Sequence, residues 1–320
     1  TLPISKSVKT IAFIGPMVKE YKANMGFWAV ELPEVKYDQW VVSQWDGLQN
    51  KVGKQTELLY AKGCEITDTS KTGFAEAIAI AKQSDMVVMA VGEAYDMSGE
   101  AKSKANIHLP GVQEDLIKAI KATGKSVVVL VMAGRPLVFN YTADNADAIL
   151  YTWWLGSEAG NAMANVLYGD YNPAGKLPMT FPRDEGQIPI YYNHLSTGRP
   201  AKNDQDTRYR SAYLDMQNSP KFAFGHGLSY TTFEYADLKL SEKQMRSTDK
   251  INVSFTLKNT GSFNGEEVAQ LYLQDKFASG SAVAKVLVKL FTATSTLKNK
   301  HDKIRKGLVV GDDAPSPMDG

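Results

Sequence analysis

The chain has 320 residues, of which 43% are hydrophobic and 22% are charged, as in ordinary folded globular protein. Its length suggests about two domains. The 36 basic and 35 acidic side chains leave a net charge of +1. That balance excludes a global field that would recruit nucleic acid or an anionic membrane, and it favours a neutral substrate.

The first part of the chain alternates strand-like apolar runs with helical patterns. Amphipathic helices are predicted at Phe74–Lys82, Val112–Lys121 and Gly160–Leu167. The predicted strands are Thr10–Ile14, Leu58–Ala61, Met86–Val91, Val127–Met132 and Ala148–Thr152. Continuous β-branched strands that alternate with helices indicate an α/β fold, with a mostly parallel sheet sandwiched by helices. We assign this domain to residues 1–231, with a long loop rich in Pro, Gly and Tyr at 183–230.

From residue 232 the pattern changes to period two, which is typical of strands in a β-sandwich. Strands are predicted at Phe233–Leu240, Ile251–Lys258, Val268–Leu273 and Val286–Phe291. Lys298–Lys306 is a basic run, and Gly311–Gly320 is typical of a disordered tail. The second domain, 232–320, is therefore predicted to be atypical and incomplete after residue 279.

Several other features narrow the class of protein. The single cysteine, Cys64, excludes an intramolecular disulfide framework and a thiolate metal cluster. No run approaches the 18 apolar residues of a membrane span, and the chain opens without Met or the hydrophobic core of a signal peptide. This opening predicts a fragment or a processed subunit.

The loop after the third strand, Gly92–Lys104, carries three carboxylates within eight residues: Glu93, Asp96 and Glu100. In open α/β sheets ligands bind outside the carboxyl ends of strands, where this loop begins. A general acid needs a positioned carboxyl group of this kind. The alternative interpretation is a solvated acidic loop. No glycine-rich phosphate motif is present, which disfavours a nucleotide-binding protein.

Two further segments follow predicted strands, Gly134–Pro136 and Trp153–Gly160. Aromatic faces stack on pyranose rings and Arg donates to hydroxyl groups, so both segments suit a sugar site. The alternative is that the tryptophans belong to the core and that Glu158 lies at the start of a helix, where a negative charge is favourable. Four scattered histidines favour no metal site, and His226 alone is more often structural.

The motifs together resemble the C-terminal half of glycoside hydrolase family 3, in the group of bacterial periplasmic β-glucosidases. Gly169–Pro178 reads GDYNPAGKLP, and Phe224–Phe233 reads FGHGLSYTTF; this pair of motifs is highly specific. The Gly92–Lys104 loop, Gly134–Pro136 and Trp154–Gly160 match as well. The resemblance covers about residues 8–278 and departs from the family after Asp275.

The resemblance implies an N-terminal (β/α)8 barrel, an α/β sandwich and often a fibronectin type III-like domain. It implies a retaining β-glucosidase in which the barrel, absent from these 320 residues, supplies the nucleophilic Asp. The sandwich supplies the acid/base, for which Glu100 is the first candidate and Glu93 the reserve. Candidate substrate contacts are Asp96 (also third candidate for the acid), Met97, Ser98 and Trp154. No cofactor and no metal are implied.

The chain alone is therefore predicted to be inactive, because the two carboxylates of such a mechanism act as a unit. Its implied partners are a β-glucoside oligosaccharide and the barrel, with homodimer formation left open, and its implied location is periplasmic or secreted. A β-xylosidase or exo-β-glucanase of the same family is one alternative. A non-catalytic carbohydrate-binding or structural module is the other.

Overall fold

The computed structural model describes residues 2–29, 34, 36–193, 198–244, 250–274, 285–295 and 304–310. The chain divides into two compact units. The first comprises Thr1–Tyr171, Phe181–Ile190 and Pro220–Phe222, and the second comprises Asn172–Thr180, Tyr191–Ser219 and Ala223–Gly320. The predicted domain boundary at residue 231 stays a prediction.

The first unit is built on a five-stranded parallel sheet of order β2-β1-β3-β4-β5. Its strands are β1 (Thr10–Ile14), β2 (Glu57–Ala61), β3 (Met86–Gly92), β4 (Ser126–Met132) and β5 (Ala148–Tyr151). Every residue of β3 is buried, as are all residues of β4 except Ser126. Successive side chains of a strand point to opposite faces, so complete burial means that both faces are covered. The predicted α/β sandwich is confirmed.

In the described part of this unit, seven α-helices accompany the sheet: α1 (Lys22–Met25), α2 (Tyr37–Trp40), α3 (Gln44–Val52), α4 (Phe74–Gln83), α5 (Gln113–Lys121), α6 (Asn140–Asn145) and α7 (Ala159–Tyr168). The three predicted helices correspond to α4, α5 and α7 within one or two residues. On one face, Leu48 of α3 and Met163 of α7 join Phe13 and Leu130 of the sheet in a single apolar core. None of the described helices is long and apolar enough to cross a membrane.

Helices α3 and α7 approach each other at two glycines. A Cβ atom on Gly47 would lie 2.0 Å from the carbonyl carbon of Gly160, and one on Gly160 would lie 1.9 Å from the Ser43 carbonyl oxygen. Ser43 also begins α3 with a capping box, in which its side chain and that of Asp46 each accept from the other's backbone N–H. The backbones of the two helices are therefore in direct contact.

The long Pro/Gly-rich segment leaves the first unit and returns to it at a small aromatic cluster. The Phe181 N–H donates to the Phe222 carbonyl over 2.8 Å, and the rings of Tyr151 and Phe139 pack on Phe181. Between residues 183 and 230, the described part of the chain holds one 3-10 helix, Glu185–Gln187, and isolated bridges.

The second unit contains antiparallel strands: β6 (Phe233–Leu240), β7 (Ile251–Asn259), β8 (Gly265–Gln274), β9 (Lys285–Ser295) and β10 (Ile304–Val310). They form a sheet of order β10-β7-β6 and a separate β8–β9 pair. The four strands predicted here lie within β6 to β9. The last three residues of the basic run Lys298–Lys306 begin β10, which pairs with β7 along Ile304–Val310.

Two interpretations for the second unit are not decided by these strands. A fibronectin type III-like sandwich stays a prediction, as does incompleteness after residue 279. The tail Gly311–Gly320 lies outside the described residues.

Candidate active site

The loop Gly92–Lys104 lies at the carboxyl edge of the parallel sheet. It begins at the end of β3, where Gly92 is in register with Met132 of β4 and the Glu93 N–H donates to the Met132 carbonyl over 2.9 Å. Gly134–Pro136 follows β4, and Trp153–Gly160 follows β5. Carboxyl ends of parallel strands meet at one edge, so the structure brings together the three segments that the sequence singled out.

A buried amide fixes the point where the loop leaves the sheet. The Gln113 side chain accepts from the Gly92 N–H and donates to the Gly92 carbonyl, both over 2.8 Å, and donates to the Ile66 carbonyl over 2.9 Å. Gln113 is fully buried at the start of α5. Gly92 itself has φ +150°, and a Cβ there would lie 1.9 Å from the Met132 carbonyl oxygen. The first residue of the loop is thus tied to strand and helix at once.

Glu93 is buried, and both of its carboxylate oxygens are engaged. Oε1 accepts from Lys104 Nζ over 2.7 Å, and Oε2 accepts from Arg135 Nε over 3.2 Å, while the Glu93 side chain is only 1% exposed. Because Lys104 ends the loop and Glu93 begins it, this ion pair closes the loop at its base.

Arg135 also holds the interior of the loop. Its Nη2 donates to the Met97 carbonyl over 2.5 Å and to the Lys102 carbonyl over 2.6 Å. Tyr151 Oη donates to the Arg135 carbonyl. Burial, and next the charge of Glu93, raise the pKa of Tyr151 far above its usual range, so this hydroxyl keeps its proton and its hydrogen bond.

Trp154 supplies an apolar surface in the segment that follows β5. Its indole ring, half-buried, lies against Gly26 and Gly134, where a Cβ on either would be 2.3 Å from ring atoms. Ser98 is buried and its Cβ is also close to Gly134. Phe27 packs on Gly99 in the same way. Of the four predicted sugar contacts, Ser98 and Trp154 therefore both lie against Gly134.

Glu100, in contrast, lies at the exposed part of the loop. It has no hydrogen bond or ion pair among the described residues, and neighbouring Asp96 is exposed as well, whereas Met97 is half-buried. Its flanks have unusual backbone conformations: Gly99 has φ +157° and Ala101 has φ +56°. A left-handed alanine costs about 1–2 kcal/mol, and such conformations cluster at functional sites.

A concavity of about 300 Å³ is lined by Met97, Ala101, Lys102, Ser103 and Lys104. Every lining residue belongs to the loop itself. The described residues thus supply one surface of the site, formed by the loop. Ion pairs of Glu93 hold the ends of the loop together, and the carboxyl group of Glu100 is exposed.

Two residues outside the loop, Glu158 and His226, make contacts typical of structural residues. Glu158 occupies the N-cap of α7 but makes no capping hydrogen bond; its carboxylate accepts from the Asn161 side chain over 2.6 Å instead. His226, in the second unit, has a lowered pKa because of burial and the nearby Lys176 charge. It is therefore a neutral, partly buried residue, in line with the structural interpretation.

Sequence reasoning did not assign roles to Lys104 and Gln113. Lys104 matters because it reaches a carboxylate eleven positions earlier, and Gln113 because it reaches the end of a strand. The sequence did offer one indication of the Glu93–Lys104 ion pair. A carboxylate follows the end of a buried strand, and a cation stands at the other end of the same loop.

Comparison with known proteins places the chain in a family. The sequence model of the glycosyl hydrolase family 3 C-terminal domain matches residues 1–230. The chain is 44% identical over 307 residues to a periplasmic beta-glucosidase of Salmonella typhimurium, covering 90% of this chain and 40% of that protein. It is 43% identical over 286 residues to a beta-xylosidase of Formosa agariphila, covering 89% of this chain and 38% of that protein.

Similarity to solved structures supports the same family. The crystal structure of a beta-glucosidase from Listeria innocua in complex with glucose is 36% identical with a TM-score of 0.84, and the match covers 97% of this chain and 41% of that one. The protein therefore belongs to glycoside hydrolase family 3 and corresponds to the C-terminal half of its relatives. It spans about 40% of the length of the relatives that it matches.

Proposed function

We propose that this chain supplies the acid/base carboxylate of a retaining β-glucosidase, and that Glu100 is that residue. The observation that carries the assignment is the contrast between two carboxylates of one loop. Glu93 is buried with both oxygens bound by cations, whereas Glu100 is exposed at the tip. A general acid must reach the leaving-group oxygen and exchange its proton with water, which only the exposed residue is free to do.

Glu93 then has a positioning role in place of its reserve role as the acid. Its carboxylate, Lys104 and Arg135 hold the two ends and the middle of the loop together. We propose that this network fixes the loop so that Glu100 presents its carboxyl group to a sugar bound over Asp96, Met97, Ser98 and Trp154.

The mechanism needs a second carboxylate that lies outside this chain. In retaining glycosidases the acid/base and the nucleophile lie about 5–5.5 Å apart. By the family resemblance, the nucleophile is an Asp of an N-terminal (β/α)8 barrel. Glu100 protonates the leaving oxygen while that Asp attacks the anomeric carbon. The same Glu100 carboxylate then takes a proton from the water that hydrolyses the glycosyl-enzyme intermediate.

The substrate class follows from the relatives and is part of the proposal. The relatives named above are β-glucosidases and a β-xylosidase, and we propose a terminal β-D-glucosyl residue because both the periplasmic relative and the solved structure are β-glucosidases. A periplasmic or secreted location is proposed on the same ground. A fibronectin type III-like fold for the β6–β10 region also belongs to this proposal.

Replacing Glu100 in the complete, barrel-containing enzyme tests the assignment. In Glu100→Ala we expect kcat/KM for glucosides with poor leaving groups to fall by about 100- to 10,000-fold, the range for loss of a general acid. Activated aryl glucosides should lose less, and azide should partly restore their turnover because it needs no general base.

Asp96→Ala, on the same exposed loop, is the matched control. A selective loss on poor leaving groups, with azide rescue, in Asp96→Ala and not in Glu100→Ala would move the acid to Asp96. Unchanged kinetics in Glu100→Ala would instead favour a non-catalytic carbohydrate-binding module.

A further inference from the structure

Three potential metal ligands lie together on the first unit: His108, four residues after the acidic loop, and Asp184 and Glu185, at the start of the 3-10 helix. One ligand atom from each of His108, Asp184 and Glu185 lies within 4.8 Å of the other two. His108 Nε2 is 2.9 Å from Glu185 Oε2 and 3.8 Å from Asp184 Oδ2. An imidazole with two carboxylates is a donor set that suits Zn²⁺.

The distances fit a common metal centre. Ligand atoms at 2.0–2.2 Å from a tetrahedral zinc ion lie about 3.4 Å from one another. Two of the three separations, 2.9 and 3.8 Å, lie on either side of that value, and the third is within 4.8 Å. All three side chains are 36–49% exposed, which leaves a coordination position open to water.

The backbones that carry the ligands are held in place without a metal. His108 forms a bridge with Val138, and its N–H donates to Asn106 Oδ1 over 2.9 Å. Asp184 caps the 3-10 helix, where its Oδ1 accepts from the Gly186 N–H and leaves Oδ2 towards His108. Asn140 Nδ2 donates to the Arg183 carbonyl over 2.6 Å. Two separately anchored segments therefore present their ligands to one point.

A second observation points to a missing ligand. Glu185 Oε2 is closed to solvent yet has no hydrogen bond of acceptable geometry among the described residues, although His108 Nε2 lies nearby. A carboxylate oxygen that is closed to solvent and accepts no hydrogen bond is costly, and native proteins rarely leave one. A bound cation would satisfy this oxygen.

We propose that His108, Asp184 and Glu185 form a zinc site that joins the segment after the acidic loop to the start of the long Pro/Gly-rich segment. The role is structural, because the described residues place no nucleophile or sugar contact of the proposed reaction in this cluster. The site is independent of the proposed glucosidase activity.

The test uses the purified chain, stripped with a chelator and titrated with ZnCl2 by isothermal calorimetry. We expect one equivalent to bind, and the Tm to rise with the logarithm of free Zn²⁺, as for any ligand that binds only the folded state. His108→Ala and Glu185→Gln should weaken binding by roughly tenfold or more. Asp184→Ser should do the same while its hydroxyl keeps the cap on Gly186.

His226→Ala is the matched control, because it removes a histidine outside the cluster, and it should bind zinc as the parent chain does. Two results would overturn the proposal. One is zinc binding that is absent or unaffected by the three variants. The other is a fall in Tm for His108→Ala that is equal with chelator and with zinc, which would make the cluster an ordinary His–carboxylate ion pair.

Discussion

At the scale of single residues, the decisive contrast is between two glutamates seven positions apart. Glu93 is 1% exposed and bound by two cations, and Glu100 is exposed. Sequence alone could indicate that the loop carries acidic chemistry, but not which carboxyl is free. That distinction depends on Lys104 and Arg135 folding back onto Glu93, which is a property of tertiary packing.

Replacing Arg135 should destabilise the fold. In Arg135→Gln, the buried Glu93 loses one of its two cations, and the Met97 and Lys102 carbonyls lose a donor. Removing one partner of a buried pair costs about 3–5 kcal/mol; because Lys104 remains, we expect a loss at the lower end, about 3 kcal/mol. Urea unfolding of the purified chain measures it.

The control for this prediction is a surface pair. Lys118 and Asp115 are both more than 40% exposed and lie 3.2 Å apart. Lys118→Gln should therefore cost about 1 kcal/mol or less, because exposed ion pairs contribute little. An equal loss in the two variants would mean that the Glu93 network does not stabilise the loop base.

At the scale of elements, the core strands were predictable and some of the helices were not. Strands β3 and β4 consist almost entirely of β-branched and other apolar residues. Such a composition predicts burial on both faces of the sheet. Helix α3 was missed because Gly47 and Asn50 lower its intrinsic propensity and it has few apolar residues. Its stability comes from packing against α7, a contact that no local pattern reveals.

The contact between α3 and α7 predicts that replacing Gly47 lowers the stability of the protein. In Gly47→Ala the new Cβ would lie 2.0 Å from backbone atoms of Gly160, which cannot rotate away. Overpacking of this kind costs about 1–3 kcal/mol, despite the higher helix propensity of alanine. The Tm of Gly47→Ala should therefore fall.

Gly175→Ala provides the comparison, because nothing lies within 4 Å of a Cβ there and its φ is not positive. Its Tm should stay close to that of the parent chain. A Gly47→Ala variant as stable as Gly175→Ala would show that the two helices can separate without loss.

At the scale of the whole molecule, we propose that the described fold supplies one carboxylate of a two-carboxylate mechanism. The family assignment was within reach of the sequence because GDYNPAGKLP and FGHGLSYTTF occur in order about 50 residues apart. The cluster of His108 with Asp184 and Glu185 was out of reach, because only the return of the chain at Phe181 brings these residues together.

The chain by itself should not hydrolyse aryl β-glucosides at a rate above its own Glu100→Ala variant, because the proposed nucleophile belongs to the barrel. Mixing it with a separately purified (β/α)8 barrel domain, the proposed partner, should restore turnover in proportion to complex formed. The barrel alone is the control. Hydrolysis by the isolated chain that Glu100→Ala abolishes would show that a nucleophile lies within these 320 residues.

The closed base of the loop has a consequence for design and for divergence within the family. Gln113 holds Gly92 in place, and the ion pairs of Glu93 with Lys104 and Arg135 join the two ends of the loop. Residues 94–103 therefore form a segment whose ends are held by contacts outside it. Loops held at their ends tolerate exchange far better than the elements that hold them. Sequences grafted between Glu93 and Lys104 could therefore retune acid strength or leaving-group fit while the sheet below keeps its structure.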